Sequence, residues 1–221
     1  RIVGAIHCGA QETMPTPLKL ISTDFDGTLH SDFDEPRVPV ALQDKLDALQ
    51  AGGATWLINT GRDLSDLRDG LAHAELLVHP DFVVTVEREI HQCVGDDFQP
   101  LTDWNEQCAA TQSELFATVA DGLPELFAWV NENFHARVYA DAWSPFCFVA
   151  RDNADADAIQ RRVEQHFAGV PQLSCVRNDV YARLSHTAFT KGTAMAEVAR
   201  HLEIPREGIF AAGDHWNDLP M

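Results

Sequence analysis

The sequence predicts an α/β protein, a parallel sheet wound with helices and interrupted by a second unit of helices and antiparallel strands. Three observations carry this reading. Short apolar runs alternate with helical stripes from Leu18 to Val86, the rhythm changes between residues 87 and 186, and the alternation returns before the chain ends. Strand, crossover helix and strand in repetition is the signature of a parallel sheet.

Leu18-Lys19-Leu20-Ile21-Ser22-Thr23 reads as a short buried strand that opens into an acidic loop, Asp24-Phe25-Asp26-Gly27-Thr28-Leu29. The polar stretch 31–39 follows, and Pro39 suits the first turn of a helix whose Leu42, Leu46 and Leu49 recur at helical spacing until Gly52-Gly53. Trp56-Leu57-Ile58 is the second strand, Leu64, Leu67 and Leu71 mark the next helix, and Phe82 to Val86 is the third strand. In the insert, Thr111-Gln112-Ser113-Glu114 has capping-box spacing and opens a helix through Leu115 and Val119, which Gly122 and Pro124 divide. Arg137 to Tyr139, Phe146 to Val149 and the alternating Val180, Ala182 and Leu184 read as strands, with a helix capped by Asn153 that carries Ile159, Val163 and Phe167. Met195, Val198, Ala199 and Leu202 then form a helical stripe, and Ile209-Phe210-Ala211-Ala212 is a strand ending at Gly213-Asp214-His215-Trp216-Asn217-Asp218.

The 221 residues allow one large domain or two small ones, at roughly 100–200 residues per domain. With 34 acidic against 16 basic residues the formal charge is −18, which repels a nucleic-acid backbone and argues against that partner. A small phosphorylated metabolite remains compatible, because a bound cation and a few local basic groups can invert the potential inside one pocket. Cys8, Cys93, Cys108, Cys147 and Cys175 are scattered, odd in number and without a C-x-x-C pair, so they suggest neither a disulfide framework nor a zinc site and fit a reducing compartment. No signal-peptide core or membrane-length apolar run is seen, and a cytoplasmic location is expected. Residues 1–13 are either a loosely held leader or lie ahead of an internal start at Met14.

Four chemical signals stand at the ends of expected core elements: Asp24 with Asp26, Thr60 in Asn59-Thr60-Gly61-Arg62, Lys191-Gly192, and the Asp214, Asn217 and Asp218 cluster. Ligands of open α/β sheets bind at the carboxyl ends of the strands. Phosphoryl transfer needs a nucleophile, a proton donor, a divalent cation and groups that hold the equatorial oxygens. Carboxylates, a lysine and a threonine supply such a set, and magnesium suits carboxylate oxygens.

In order and in detail these motifs resemble the haloacid dehalogenase (HAD) superfamily of phosphatases. The resemblance implies a Rossmann-like parallel-sheet core, residues 1–86 and 187–221, with an inserted α+β cap of the C2 type over 87–186. It also implies roles. Asp24 is the nucleophile and a Mg²⁺ ligand, and Asp26 is the acid/base and a metal ligand through its backbone carbonyl. Thr60 and the Gly61 amide hold phosphoryl oxygens, Lys191 offsets charge on the phosphate and on Asp24, Asn217 helps to position the phosphate, and Asp214 and Asp218 complete the metal site. The implied activity is Mg²⁺-dependent hydrolysis of a phosphomonoester through an aspartyl-phosphate. The acid at Asp26 separates a hydrolase from the related ion pumps, which lack it. A phosphomutase of the same superfamily and a non-catalytic sugar-phosphate-binding module are the alternatives.

The large mixed insert resembles the Cof-type and sucrose-phosphatase-like branch, whose mobile cap closes over a sugar phosphate or similar metabolite. Val86-Glu87-Arg88-Glu89-Ile90 departs from that branch, where a small-residue turn is usual. Arg137, Tyr139, Arg151, Arg177, Asn178 and Arg183 could reach a polar ligand from the cap, although residues of these types usually lie on solvated strand faces. Trp143 reads as a packing residue, His215 as a variable position, and His7, His30 and His73 receive no role. Relatives continue past the last motif with another strand and helix, so the expectation is either a longer natural chain or a weakened metal site.

Overall fold

The computed structural model describes residues 17–31 and 33–221; His7, Cys8, Met14 and the expected leader lie outside the described residues. The first half contains Leu20–Thr23 (β1), Val40–Ala51 (α1), Thr55–Asn59 (β2), Leu64–Ala74 (α2), Phe82–Thr85 (β3), Glu89–Val94 (β4), Asp97–Pro100 (β5) and Thr102–Val119 (α3). Leu123–Asn133 (α4), Arg137–Tyr139 (β6), Cys147–Val149 (β7), Asn153–His166 (α5), Leu173–Asn178 (β8), Tyr181–His186 (β9), Lys191–His201 (α6) and Ile209–Ala212 (β10) complete it.

β1 lies in the sheet between β10 and β2, parallel to both, and β2 pairs in parallel with β3. These strands read as continuous apolar runs because both faces are covered. On one face Ile21, Trp56, Ile58 and Val83 meet Leu46 of α1 and Leu67 of α2. On the other, Leu20, Leu57, Phe82 and Val84 meet Ala194, Met195 and Val198 of α6. α1 stops where expected, and Gly53 takes a φ of 86°, a conformation in which glycine avoids the Cβ penalty.

The six-stranded sheet has the order β10-β1-β2-β3-β4-β5, and β4 and β5 are antiparallel additions. The sequence reading starts the insert at residue 87, yet both strands beyond that point hydrogen-bond onto the core sheet. The edge of β3 would otherwise leave a row of unpaired backbone groups, which the hairpin through Gly95 satisfies.

Two local expectations are corrected, and one strand carries no sequence signal. Thr111 lies inside α3, which begins at Thr102; the buried stripe Cys108, Gln112, Leu115 and Val119 runs across the expected cap and holds the helix continuous. The cap of α5 is Asp152, whose carboxylate accepts from the Asp155 amide, while Asn153 donates to Asp179 Oδ1 instead. β8 is invisible to periodicity, because all six of its residues are half-buried and no alternation marks it. The division between α3 and α4 does occur at 120–122, as a 3-10 turn with Pro124 in the first turn of α4.

The second sheet has the order β6-β7-β9-β8 and is antiparallel throughout. Leu126 and Val130 of α4 and Ile159 and Val163 of α5 bury against Phe146, Phe148, Ala182 and Leu184. This gives the insert a core of its own, separate from the two faces of the parallel sheet. No helix among the described residues is long and apolar enough to cross a membrane.

Candidate active site

β1, β2 and β10 end along one edge of the sheet, and the acidic and polar motifs begin there. Asp24 leaves β1 with its amide on Ala212 O at 2.9 Å, which ties it to the adjacent strand end. Its Oδ1 accepts from the Phe25 amide at 2.7 Å and lies 2.8 Å from Lys191 Nζ. Its Oδ2 is buried without a hydrogen-bond partner among the described residues. Gly27, at φ 80°, turns the chain beneath the last loop, where a Cβ would collide with the Asp214 carboxylate.

Lys191 opens α6, and the residue is 1% exposed. The ammonium bridges Asp24 and Asp218, at 2.8 and 2.6 Å. Asn59 at the end of β2 donates to the Lys191 carbonyl at 2.9 Å, so sheet and helix hold the lysine from both sides. Gly192 has no room for a side chain, because a Cβ would collide with the Pro220 carbonyl oxygen. A Thr190–Thr193 capping box starts the helix. Thr190→Ala should lower stability by about 1 kcal/mol in a denaturant melt, because it unpairs the Thr193 amide.

Burial raises the Asp24 carboxyl to about 6, Lys191 partly opposes this, and Asp218 adds to it. Burial alone would lower the Lys191 ammonium, but Asp24 and Asp218 outweigh it and raise it. Lys191 is therefore a fixed cation, and Asp24 is held at a cost.

Asp24, Asp214 and Asp218 can each bring one carboxylate oxygen within 4.8 Å of the others. An all-oxygen carboxylate set fits a hard divalent cation. The orphaned Asp24 Oδ2 supports that fit, since a buried acceptor left alone is costly. Asp218 differs from its two neighbours. Its Oδ1 meets Lys191, and its Oδ2 accepts from the Asp214 and His215 amides at 3.0 and 2.9 Å. Asp24 Oδ2 is thus the available oxygen of the set, and Asp218 shapes the loop. Asp214 Oδ1 accepts from Thr28, and its Oδ2 lies 2.8 Å from His215 Nδ1.

The Asp26 side chain stands outside that carboxylate group, on Arg62. Arg62 Nε and Nη2 meet its two oxygens at 2.7 and 2.6 Å, a bidentate geometry that fixes the carboxylate plane. Thr60 is buried, and its hydroxyl accepts from the Arg62 amide at 3.2 Å. Asp24, Asp26, Thr60 and Gly61 share a cavity of about 400 Å³ with Tyr139, Trp143, Asn178, Tyr181 and Arg183 of the second unit. Asn217 points its amide at Glu87 Oε1, 2.9 Å away.

Of the six cap candidates, Tyr139, Asn178 and Arg183 line this cavity. Arg177 instead pairs with Asp157 in an adjoining cavity of about 760 Å³, Arg151 pairs with Asp152 and Asp155, and Arg137 stacks on Tyr139. Trp143 packs with its Nε1 donating to Glu89. Sequence reasoning assigned no role to Arg62 or Glu87. The signal for Glu87 was the unusual turn. Val86 and Glu87 have φ of 44° and 67°, a left-handed conformation costly for a β-branched residue. Their amides donate to Arg62 O and Thr60 O, which fastens the turn to the motif loop and buries the Glu87 carboxylate beside Gly61.

Residues 17–221 match the family described as sucrose-6F-phosphate phosphohydrolase. The chain is 24% identical over 237 residues to YxeH of Bacillus subtilis (strain 168), which carries a provisional phosphatase description, with 92% of this chain and 83% of that protein covered. Its fold is similar to the sucrose-phosphatase of Synechocystis sp. PCC6803, solved with sucrose and phosphate: TM-score 0.65, 16% identity, 93% of this chain and 79% of that one. It is also similar to BT1666 of Bacteroides thetaiotaomicron, a HAD superfamily phosphatase, at TM-score 0.59 and 18% identity over 98% and 83% of the two chains.

Proposed function

The chain belongs to the sucrose-6F-phosphate phosphohydrolase family and is a phosphatase of the HAD superfamily, and from that premise we propose that it hydrolyses a sugar phosphate through an aspartyl-phosphate on Asp24, with Mg²⁺ as its cation. The observation that carries the reading is Asp24 itself: buried, braced by Lys191, with one oxygen unpartnered, and lining the cavity that also holds Asp26.

Asp24 attacks phosphorus while the bond to the sugar oxygen breaks, and Asp26 gives that oxygen its proton. Asp26 then takes a proton from water, which attacks the aspartyl-phosphate and releases inorganic phosphate and Asp24. Arg62 orients Asp26 between these two transfers by gripping both carboxylate oxygens. Thr60 and the Gly61 amide receive phosphoryl oxygens, with Lys191 beneath as counter-charge and Asn217 at the edge. Mg²⁺, held by Asp24, Asp214 and the Asp26 carbonyl with Asp218 in support, would draw charge from the phosphoryl oxygens. Residues 87–186 form the specificity-bearing cap, with the β4–β5 hairpin docked on the core. Tyr139, Tyr181 and Asn178 offer a sugar its hydroxyl partners and apolar ring faces.

Phosphate release should be measured across a panel of sugar phosphates after exhaustive chelation and again with Mg²⁺ restored. Release should fall to background on chelation and return with the cation. Undiminished release in chelator would exclude the metal-dependent reading.

A further inference from the structure

Arg183 is a buried cation for which the protein supplies no full partner. It lies on β9 in the cap, is 8% exposed, and lines the cavity that holds Asp24 and Thr60. Nη2 donates to the Gly61 carbonyl at 3.3 Å, across the junction of cap and core. Nη1 is buried with no hydrogen-bond partner among the described residues. The guanidinium rests on the Tyr181 ring, 5.1 Å from its centre. Burial lowers its pKa, but Tyr181, and after it Glu87 and Asp141, outweigh that and raise it, and no carboxylate of the described residues lies within 4.0 Å.

Two carboxylates act on it from beyond 4.0 Å, and each has other partners. Glu87 accepts from Asn217, and Asp141 accepts from the Trp143 and Ser144 amides and from Cys147. Arg88, also buried, is different: its guanidinium donates to the Val86 and Trp143 carbonyls and ties the turn to the cap. A guanidinium taken from water without an anion costs several kcal/mol, so a position like that of Arg183 persists where an anion will arrive. The planar fork is suited to phosphate oxygens, and its anchor is the carbonyl of Gly61, one atom group from the amide proposed to hold phosphate.

We propose that Arg183 is a phosphate-binding residue delivered by the cap, donating from Nη1 to the phosphoryl group of the bound substrate while Nη2 stays on Gly61. This deepens, and rests on, the phosphatase reading of the same cavity. It makes the cap a sensor of the phosphate as well as of the sugar. Cap and core then hold the phosphoryl group jointly, and binding the anion favours the closed arrangement because only there does the guanidinium meet its charge.

The test uses the full chain as wild type, Arg183→Met and Arg183→Lys. Inorganic phosphate binding is measured by calorimetry in Mg²⁺, p-nitrophenyl phosphate hydrolysis by initial rates, and thermal unfolding without ligand. Arg183→Met should weaken phosphate binding about 10- to 100-fold, the range expected for a lost charge-assisted hydrogen bond. It should raise KM similarly and leave the ligand-free unfolding temperature equal or higher, because an uncompensated buried charge has gone. Arg183→Lys should recover part of the binding. Phosphate affinity unchanged in Arg183→Met would overturn the proposal and direct Arg183 to the leaving group or to structure. A large fall in unfolding temperature in both variants would also overturn it, as the mark of a structural arginine. A wild type that neither binds phosphate nor hydrolyses the ester would instead remove the phosphatase reading beneath it.

Discussion

Replacing Asp24 by asparagine should cut phosphate release by at least about 10⁴-fold and, in the same protein without metal, make the fold more stable at pH 8. The two effects share one cause. An amide cannot form the aspartyl-phosphate, so the proposed first step has no nucleophile. The stability effect follows from burial. The Asp24 pKa stands at about 6 in the fold against a usual 3.8, so the folded state binds this proton more tightly than the unfolded chain does. Below about pH 4 both states are protonated and Asp24 costs nothing. Between about pH 4 and 6 the unfolded chain ionises first and stability falls; above 6 the loss is complete, on the order of 3 kcal/mol for a shift of about two units. The amide of the Asp24→Asn variant carries no such charge. Denaturant melts of the two metal-free proteins should therefore nearly coincide at pH 4 and separate in favour of Asp24→Asn at pH 8. Adding Mg²⁺ should stabilise the wild type more than the variant, because the cation compensates the carboxylate. Identical melts at both pH values, or retained turnover, would remove Asp24 from the centre of the site.

How much of this was legible follows from where the information sits. β1, β2, β3 and β10 are short runs buried on both faces, so apolar residues identify them and the chemistry follows directly at their ends: Asp24 after Thr23, Thr60 after Asn59, Asp214 shortly after Ala212. A motif of adjacent residues survives reading without a structure. Glu87 does not, and Arg183 stands out only as one of six polar candidates in the insert, because neither has a chemical neighbour in sequence. Arg183 reaches Gly61 across 122 residues, carried there by the pairing of β9 with β7. Glu87 acts through a strained turn whose residues contradict local preference. The β4–β5 hairpin was missed because β4 is buried only near its start, and β5 is mostly exposed. Tertiary pairing, rather than periodicity, makes these strands.

Lys191→Met is expected to destabilise the metal-free protein by about 3–5 kcal/mol at pH 8, more than any surface change, because it strands Asp24 and Asp218 without their shared cation. Methionine matches the lysine stem closely enough that packing alone predicts a small effect. The difference between those two magnitudes isolates the charge. Its pH dependence supplies a second sign. Acidification should relieve part of the loss, and should begin to do so above the wild-type pKa of about 6, because Lys191 no longer holds the Asp24 carboxyl down and Asp24 takes up its proton earlier. Asp218 keeps two backbone amides on its other oxygen, so the relief at Asp24 should account for much of the recovery. Mg²⁺ should also restore part of the stability by replacing one positive charge with another, yet turnover should stay depressed by about 10²–10³-fold, as for loss of one preorganised electrostatic contact at the reacting group. Rescue of folding without rescue of turnover would separate the two duties proposed for the lysine, holding Asp24 ready and balancing the phosphoryl charge. Equal stability of variant and wild type at pH 8 without metal would show that the buried bridge among Lys191, Asp24 and Asp218 does not hold the site together.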